Sequence, residues 1–489
     1  MNKINIFLAK PASYFVKNAE NAEKKIIFAK SLEKTFIIYY NIGDKLYQKQ
    51  RNLNNRRQNY SKIKKMKKYS ELSKAEQRSE YDALLAKYNE YKSMGLSLDL
   101  SRGKPNAEQL DVSRALLSVD LDGKNSYSAA GLDCRNYGVL DGLPEVKAMF
   151  ADILGLNPEY ITVGGNSSLQ MMYDTLARAM LFGVLGSERP WCREEGLKWI
   201  CVTPGYDRHF RITETLGFEL ISVKMLEDGP DMDAVERLVR DPKVKGIWCV
   251  PKYSNPTGNT YSDETVRRLA AMECAAPDFR IMWDNAYAIH DLGEEGDSLL
   301  DIFAEAEKCG NGDRVFYYSS TSKVTFPGAG VAIMACSPAN KKQIAPYLGA
   351  QTIGYDKLNQ LRHLYYLNDK ATTHAHMMEL GALIGRKFEI TLSALESLRG
   401  LGIAEWTEPR GGYFVSLDVL PGTAKRVFAL MKEAGVTLTD VGATFPHGVD
   451  PEDKNLRLAP TYPTDSDLAK ATEILVVAVK LAALEKLLA

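Results

Sequence analysis

A chain of 489 residues, 45% hydrophobic and 25% charged, has the composition of a globular protein with room for two or three domains and a large core. Its seven cysteines form no C-x-x-C pair and are odd in number, which argues against a disulfide framework or a zinc site and for a reducing, cytoplasmic compartment; no run of about 18 apolar residues suits a membrane span. The formal net charge of zero hides a division, because residues 1–68 carry 17 Lys+Arg against 4 Asp+Glu and the remainder carries 45 against 58.

The basic first segment is rich in Asn, Lys, Ile, Tyr and Phe and holds one glycine, Gly43. Three readings compete: an arm for nucleic acid, a targeting leader, and upstream translation that is not native protein. No helix-turn-helix pattern is visible, arginines are few, and no apolar core leads to a small-residue cleavage site. The residues are those of A/T-rich codons, and Met66 stands directly before a credible helix. We therefore read the segment as the third, with no nucleic-acid partner expected.

The body follows in order. Residues 71–94 read as a helix, with Ser73 as cap and Leu84, Leu85, Tyr88 and Tyr91 at helical spacing. Residues 98–100 form a short strand that runs into the turn Ser101-Arg102-Gly103-Lys104-Pro105-Asn106. Pro144 suits the first turn of a helix through Val146, Met149 and Phe150. From about residue 158 strands and helices alternate. The runs 160–163, 199–202, 246–250, 280–283 and 315–318 are apolar, and polar clusters follow them: Gly164-Gly165-Asn166-Ser167-Ser168, Pro204-Gly205-Tyr206, Asn255-Pro256-Thr257-Gly258, Asp284-Asn285-Ala286-Tyr287, and Ser319-Ser320-Thr321-Ser322-Lys323. A helix after Ser168 carries Leu169, Met172, Leu176, Met180 and Val184 on one face, and another apolar run follows at 331–335. This pattern predicts an α/β fold whose large domain is a mostly parallel, doubly wound sheet covered on both faces. A long helix over 371–398, a strand at 413–417, a helix at 424–434, a strand at 456–458 and a last helix to Leu488 predict a smaller C-terminal α/β domain. The expected division is the extension 1–68, an arm with part of the small domain at 69–125, the large domain at 126–370 and the small domain at 371–489.

Ligands bind at the C-terminal ends of strands in such sheets, and these ends would supply one chemistry together. Lys323 sits on a hydroxyl-rich loop between two apolar strands. Burial lowers a lysine pKa, and a neutral amine condenses with a carbonyl. Gly165, Asn166, Ser167 and Ser168 open a helix, so they offer N–H groups, hydroxyls and a positive dipole end to an anion; Ser320 and Ser322 add hydroxyls. Asp284 would accept from a ring N–H, Tyr206 would stack on a flat ring, and Asn255 and Tyr287 would donate to a ring oxygen. A phosphate, a nitrogenous ring, a phenolic oxygen and an aldehyde together describe pyridoxal 5′-phosphate. His209, His290 and His447 lack metal-ligand spacing and read as structural or surface residues, so no metal is expected. Trp283 and Trp406 read as core.

At these residues the chain resembles the fold-type I, class I pyridoxal-phosphate-dependent aminotransferases. Asn255-Pro256-Thr257-Gly258, Asp284-x-Ala286-Tyr287 and Ser320-x-Ser322-Lys323 stand in that family's order. Tyr137, with Gly138 and Gly142-Leu143, is similar to its tyrosine that reaches the neighbouring subunit's phosphate, which implies a homodimer with shared active sites. Arg457, in Leu456-Arg457-Leu458-Ala459, is similar to the arginine that grips the substrate α-carboxylate. The resemblance covers about residues 75–489. It breaks at Gly328-Ala329-Gly330-Val331-Ala332, where Gly330 replaces the phosphate-binding arginine of most members, so serine hydroxyls must do more. That variant, with Ser101-Arg102-Gly103-Lys104-Pro105 and Arg457-Leu458-Ala459-Pro460, resembles a divergent bacterial aspartate aminotransferase subgroup related to aminotransferase-like transcription regulators.

The resemblance implies transfer of an amino group between L-aspartate and 2-oxoglutarate. Lys323 would carry the cofactor and move the proton, Asp284 would keep the ring nitrogen protonated, and Tyr206 would stack at the catalytic centre. Arg457 and Asn255 would hold the α-carboxylate, with Gly103 and either Lys104 or Arg102 beside the distal one. Another amino donor, alanine or aromatic, and a regulator using the fold as a sensor are the alternatives. Removal of residues 1–65 is expected to leave the thermal midpoint, cofactor content and kinetics unchanged, since the segment has no periodic apolar face matched to the body. A large fall in midpoint or rate contradicts this reading of the segment.

Overall fold

The computed structural model describes residues 67–489; the extension before Lys67, and what is expected of it, lies outside the described residues. The strands are β1 (Leu98–Asp99), β2 (Ile161–Val163), β3 (Lys198–Thr203), β4 (Glu219–Leu226), β5 (Gly229–Pro230), β6 (Val244–Cys249), β7 (Arg280–Asp284), β8 (Val315–Ser320), β9 (Ala332–Ala335), β10 (Ala404–Trp406), β11 (Val415–Val419), β12 (Val436–Thr437) and β13 (Asn455–Leu458). Eight of them form one sheet in the order β2-β9-β8-β7-β6-β3-β4-β5.

Alternation along the central strands explains why the sheet is covered twice. Successive side chains of a strand point to opposite faces. Ile200, Ile247, Ile281 and Trp283 enter one apolar cluster, while Trp199, Cys201, Trp248 and Met282 enter another. All six residues of β6 and all five of β7 are buried. Each such fully buried large side chain contributes about 1.5–3 kcal/mol. Strands β4, β3, β6, β7 and β8 pair in parallel. Strand β9 runs antiparallel to both β8 and β2. The expected mostly parallel sheet thus contains an internal reversal. Its cause is length: only residues 321–331 separate β8 from β9, too few for the crossover that a parallel return requires. Strand β2, antiparallel to β9, then points the same way as β8. The C-terminal ends of β2, β3, β6, β7 and β8 all open on one edge.

The arm and the C-terminal region share a second core. Ser73 caps the helix Lys74–Ser93 in a reciprocal capping box with Glu76. Tyr88 and Tyr91 of that helix join the apolar cluster of the C-terminal helix Asp465–Leu488, and Tyr91 donates to Glu473 at 2.6 Å. Strands β10, β11 and β13 form an antiparallel sheet, and β1 pairs with β12 in parallel. Trp283 lies in the core as expected, but Trp406 is only half-buried, under the Arg399 guanidinium. Among the described residues no helix is long and apolar enough to cross a membrane.

At Gly246, where β6 meets β3, an added Cβ would lie 2.3 Å from the Trp199 ring and 2.7 Å from the Arg280 carbonyl oxygen. Gly246→Ala is therefore expected to lower stability by about 1–3 kcal/mol through overpacking, read as a fall in the denaturant midpoint.

Candidate active site

Lys323 ends the short turn Thr321–Lys323 that follows β8, and the turn is capped by the Ser320 hydroxyl. Its Nζ lies 4.9 Å from the centre of the Tyr287 ring and 6.0 Å from that of Tyr413. Burial pushes the Lys323 pKa below its usual value, and Asp284 partly offsets this. Tyr413 also donates to the Lys323 carbonyl at 3.4 Å.

Asp284 ends β7 and is 4% exposed. One carboxylate oxygen lies 2.9 Å from His209 Nε2, while the other, Oδ1, is buried with no partner. His209 was expected to be merely structural or on the surface. It is a buried structural residue and not a surface one: 1% exposed, stacked on Trp248 at 4.3 Å and 2.9 Å from Asp284. The signal for it was its place three residues after Tyr206, in the first turn of the helix Asp207–Thr215. His290 is also buried beside Tyr287 and Tyr413, and burial followed by the Lys323 charge pushes it down to about 3, so it is neutral. His447 is exposed and pairs with Glu214. Burial pushes the Tyr206 hydroxyl up to about 12 and that of Tyr287 well above its usual value, so both remain protonated donors.

The loop Gly164–Ser167 joins the end of β2 to the helix Ser168–Phe182, with Ser167 as its cap. Ser320 Oγ donates to Ser322 Oγ at 3.0 Å, and Ser322 Oγ donates to the Asn166 carbonyl at 3.3 Å. The two hydroxyls and the helix start therefore face the same place. At Gly165 an added Cβ would meet nothing nearer than 3.9 Å, so backbone and space are both open there. At Gly330 a Cβ would sit 3.2 Å from Thr321 Oγ1 and 3.5 Å from the Asn166 carbonyl oxygen. Thr321 Oγ1 fills this space and accepts from the Val331 N–H at 2.9 Å. A side chain at Gly330 would need Thr321 Oγ1 and the Phe326 carbonyl oxygen, 3.3 Å away, to give slightly, while Asn166 would be in ordinary contact.

Arg457, on β13, donates through Nη1 to Asp207 Oδ1 at 2.7 Å and to Asn255 Oδ1 at 3.5 Å. Its guanidinium lies 5.2 Å from the centre of the Phe414 ring, and Gly103 packs so closely on Phe414 that a Cβ there would be 2.1 Å away. The structure thus brings Gly103 to the Arg457 cluster, but not the charges beside it. Arg102 pairs with Asp99 at 2.8 Å, and Lys104, exposed, rests 4.4 Å over the Tyr462 ring. Tyr137 is 78% exposed, away from Lys323 and Asp284, both of which are buried or half-buried. Asp207 and Tyr413 had no sequence signal beyond their neighbours Tyr206 and Phe414.

Lys323 and Asp284 lie at one edge of the large sheet, and Arg457 of β13 in the smaller sheet meets the helix that follows β3; a chain with these features has known relatives. The model of the Aspartate amino-transferase family matches residues 72–489. The chain belongs to that family. It is a pyridoxal-phosphate-dependent aminotransferase of fold type I. An aspartate aminotransferase of Corynebacterium glutamicum is 49% identical over 407 residues, which is 83% of this chain and 94% of the relative. A crystal structure of an aspartate transaminase from the same organism aligns with a TM-score of 0.84 at 47% identity, covering 86% of this chain and 99% of that one. The HTH-type transcriptional regulator NorG of Staphylococcus aureus is 24% identical over 361 residues, 72% of this chain and 74% of the regulator.

The residues fit the cofactor of this aminotransferase family. A buried carboxylate oxygen without a partner costs about 1–3 kcal/mol or more, and a ring N–H would satisfy Asp284 Oδ1. Gly103→Ala is expected to displace Phe414 from Arg457 and raise KM for all amino and oxo acid substrates by about 10-fold, measured by steady-state kinetics.

Proposed function

We propose that this aminotransferase exchanges an amino group between L-aspartate and 2-oxoglutarate, as a cytoplasmic homodimer with shared active sites. The observation that carries the chemistry is the unpaired, buried Asp284 Oδ1 on the same strand-end edge as the Lys323 amine. The likeness to the C. glutamicum aspartate aminotransferase supports the substrate pair. Free cysteines throughout are in keeping with a reducing compartment. The exposed Tyr137 is available to a partner's phosphate site.

Pyridoxal phosphate, when bound, supplies an aldehyde and a protonated ring that withdraws electrons from the substrate Cα. The chain's own residues do the rest. Asn166, Ser167, Ser168, Ser320 and Ser322 would hold the phosphate at the helix N-terminus. Asp284 would hold the ring N–H through Oδ1, with His209 fixing the orientation of its other oxygen. Asn255 and Tyr287 would donate to the ring oxygen, and Tyr206 would cover the ring face. Burial lowers the Lys323 pKa, so its amine gives up its proton more readily; it would capture the aldehyde and later carry the proton from the substrate Cα. Arg457 would bind the α-carboxylate through its planar fork.

Alanine or another monocarboxylic donor is the second reading, favoured by Arg102 being committed to Asp99 and Lys104 resting on Tyr462. A panel of amino donors, read by the change in cofactor absorbance, decides between them. Lys323→Ala is expected to abolish turnover while cofactor remains bound through the phosphate loop and Asp284; wild-type rates in that variant would remove Lys323 from its role. Asp284→Ala is expected to lose most activity with the natural cofactor. Lys104, one residue from Gly103, would be the cation for the distal carboxylate only by leaving the Tyr462 ring on which it rests. Lys104→Ala should raise KM for aspartate and 2-oxoglutarate by about 10- to 100-fold, and far less for alanine. Equal effects on aspartate and alanine would place that cation elsewhere, the partner subunit included.

A further inference from the structure

Arg457, proposed above to hold the substrate α-carboxylate, already has a carboxylate on it. Its Nη1 donates to Asp207 Oδ1 at 2.7 Å and more weakly to Asn255 at 3.5 Å. Its Nε is buried and has no partner. The side edge of the guanidinium is therefore closed to solvent. An incoming carboxylate must use the end that carries Nη1 and Nη2, where Asp207 sits. Asp207 is also the more open member of the pair, 33% exposed against 10% for Arg457. It opens the helix Asp207–Thr215, directly after Tyr206, whereas Arg457 belongs to β13 of the smaller sheet. The ion pair thus joins the edge of the large sheet to the smaller one across the substrate position.

We propose that Asp207 is an internal competitor for the substrate carboxylate, occupying Arg457 in the empty enzyme and giving way to the α-carboxylate of the incoming amino or oxo acid. The proposal rests on Arg457 being the carboxylate site. Exchange of one carboxylate for another leaves only the difference between two ion pairs as binding free energy. Such a device weakens every substrate alike, donor and acceptor, and leaves the chemical step untouched, so it acts on KM rather than on kcat. Once displaced, Asp207 keeps a favourable place, because a carboxylate in the first turn of a helix is stabilised by the dipole. Asp207 so acts as a residue that sets carboxylate affinity through Arg457, without touching the reacting atoms. A strut that merely orients Arg457 would have the opposite effect when removed.

Asp207→Asn and Asp207→Ser both remove the charge and keep a polar group suited to a helix start. The probe is succinate, which has carboxylates and no amine, titrated into holoenzyme by calorimetry. KM and kcat for aspartate and 2-oxoglutarate are measured alongside. The expected result is a succinate Kd and both KM values lowered about fivefold, the effect of one partly exposed ion pair, with kcat changed less than about twofold. Unchanged or weaker succinate binding in both variants overturns the proposal, whether or not the thermal midpoint falls. Arg457→Ala tests the reading beneath it separately. If that variant keeps wild-type succinate affinity and KM, Arg457 is not the carboxylate site, whatever the Asp207 variants do.

Discussion

A carboxylate held at 4% exposure at the end of a central strand is the constraint around which this protein is arranged. Asp284 is tolerable there only if its charge is met. His209 meets one oxygen, and the other is buried with no partner. His209 in turn needs Trp248 beneath it and Tyr206 at its edge, which fixes the start of the helix after β3 against β6. Lys323, in the turn that follows the next strand of the sheet, feels the same carboxylate: burial lowers its pKa and Asp284 restrains the fall. Packing of three neighbouring strands and the protonation of the site are therefore a single problem.

The sheet solves the geometric part. Its parallel strands deliver five polar loops to one edge, and the reversal at β9 returns the chain beside the first of them. The Gly165 carbonyl accepts from the Ala332 N–H at 2.8 Å, and Gly164 donates to the Ala332 carbonyl at 2.8 Å. The β9 reversal thus anchors the loop before the helix Ser168–Phe182, whose N-terminus faces the serine hydroxyls. This arrangement also bears on Gly330. A Cβ there would lie 3.2 Å from Thr321 Oγ1, so that neighbour would have to give slightly, and a phosphate bound there would rely on N–H groups, hydroxyls and the helix dipole.

Much of this was legible in the residues. Near-continuous apolar runs separated by helical spacing indicate buried parallel strands, since such strands must be apolar on both faces. Lys323, Asp284, Asn255 and the Gly165–Ser168 loop could be picked out as candidates because each lies within a few residues of the end of such a run, so strand and candidate residue are joined by a short stretch of chain. What His209 would meet was not legible, for the converse reason. Its partner is 75 residues away, and nothing in the spacing of a histidine shows which carboxylate it will meet. Arg102 and Lys104 sit in a recognisable turn, yet which way each side chain turns depends on Asp99 and Tyr462.

The sequence by itself determined the elements, their order and the chemistry at the strand ends, because local periodicity and covalent adjacency are properties of short stretches. Only the tertiary structure decided the pairings. Arg457 and Asp207 are 250 residues apart, and their contact exists because β13 of the smaller sheet is packed opposite the helix that follows β3. Ion pairs and orphaned atoms of this kind depend on which surfaces close on each other, and that is settled by the burial of the whole apolar core rather than by any one stretch of chain.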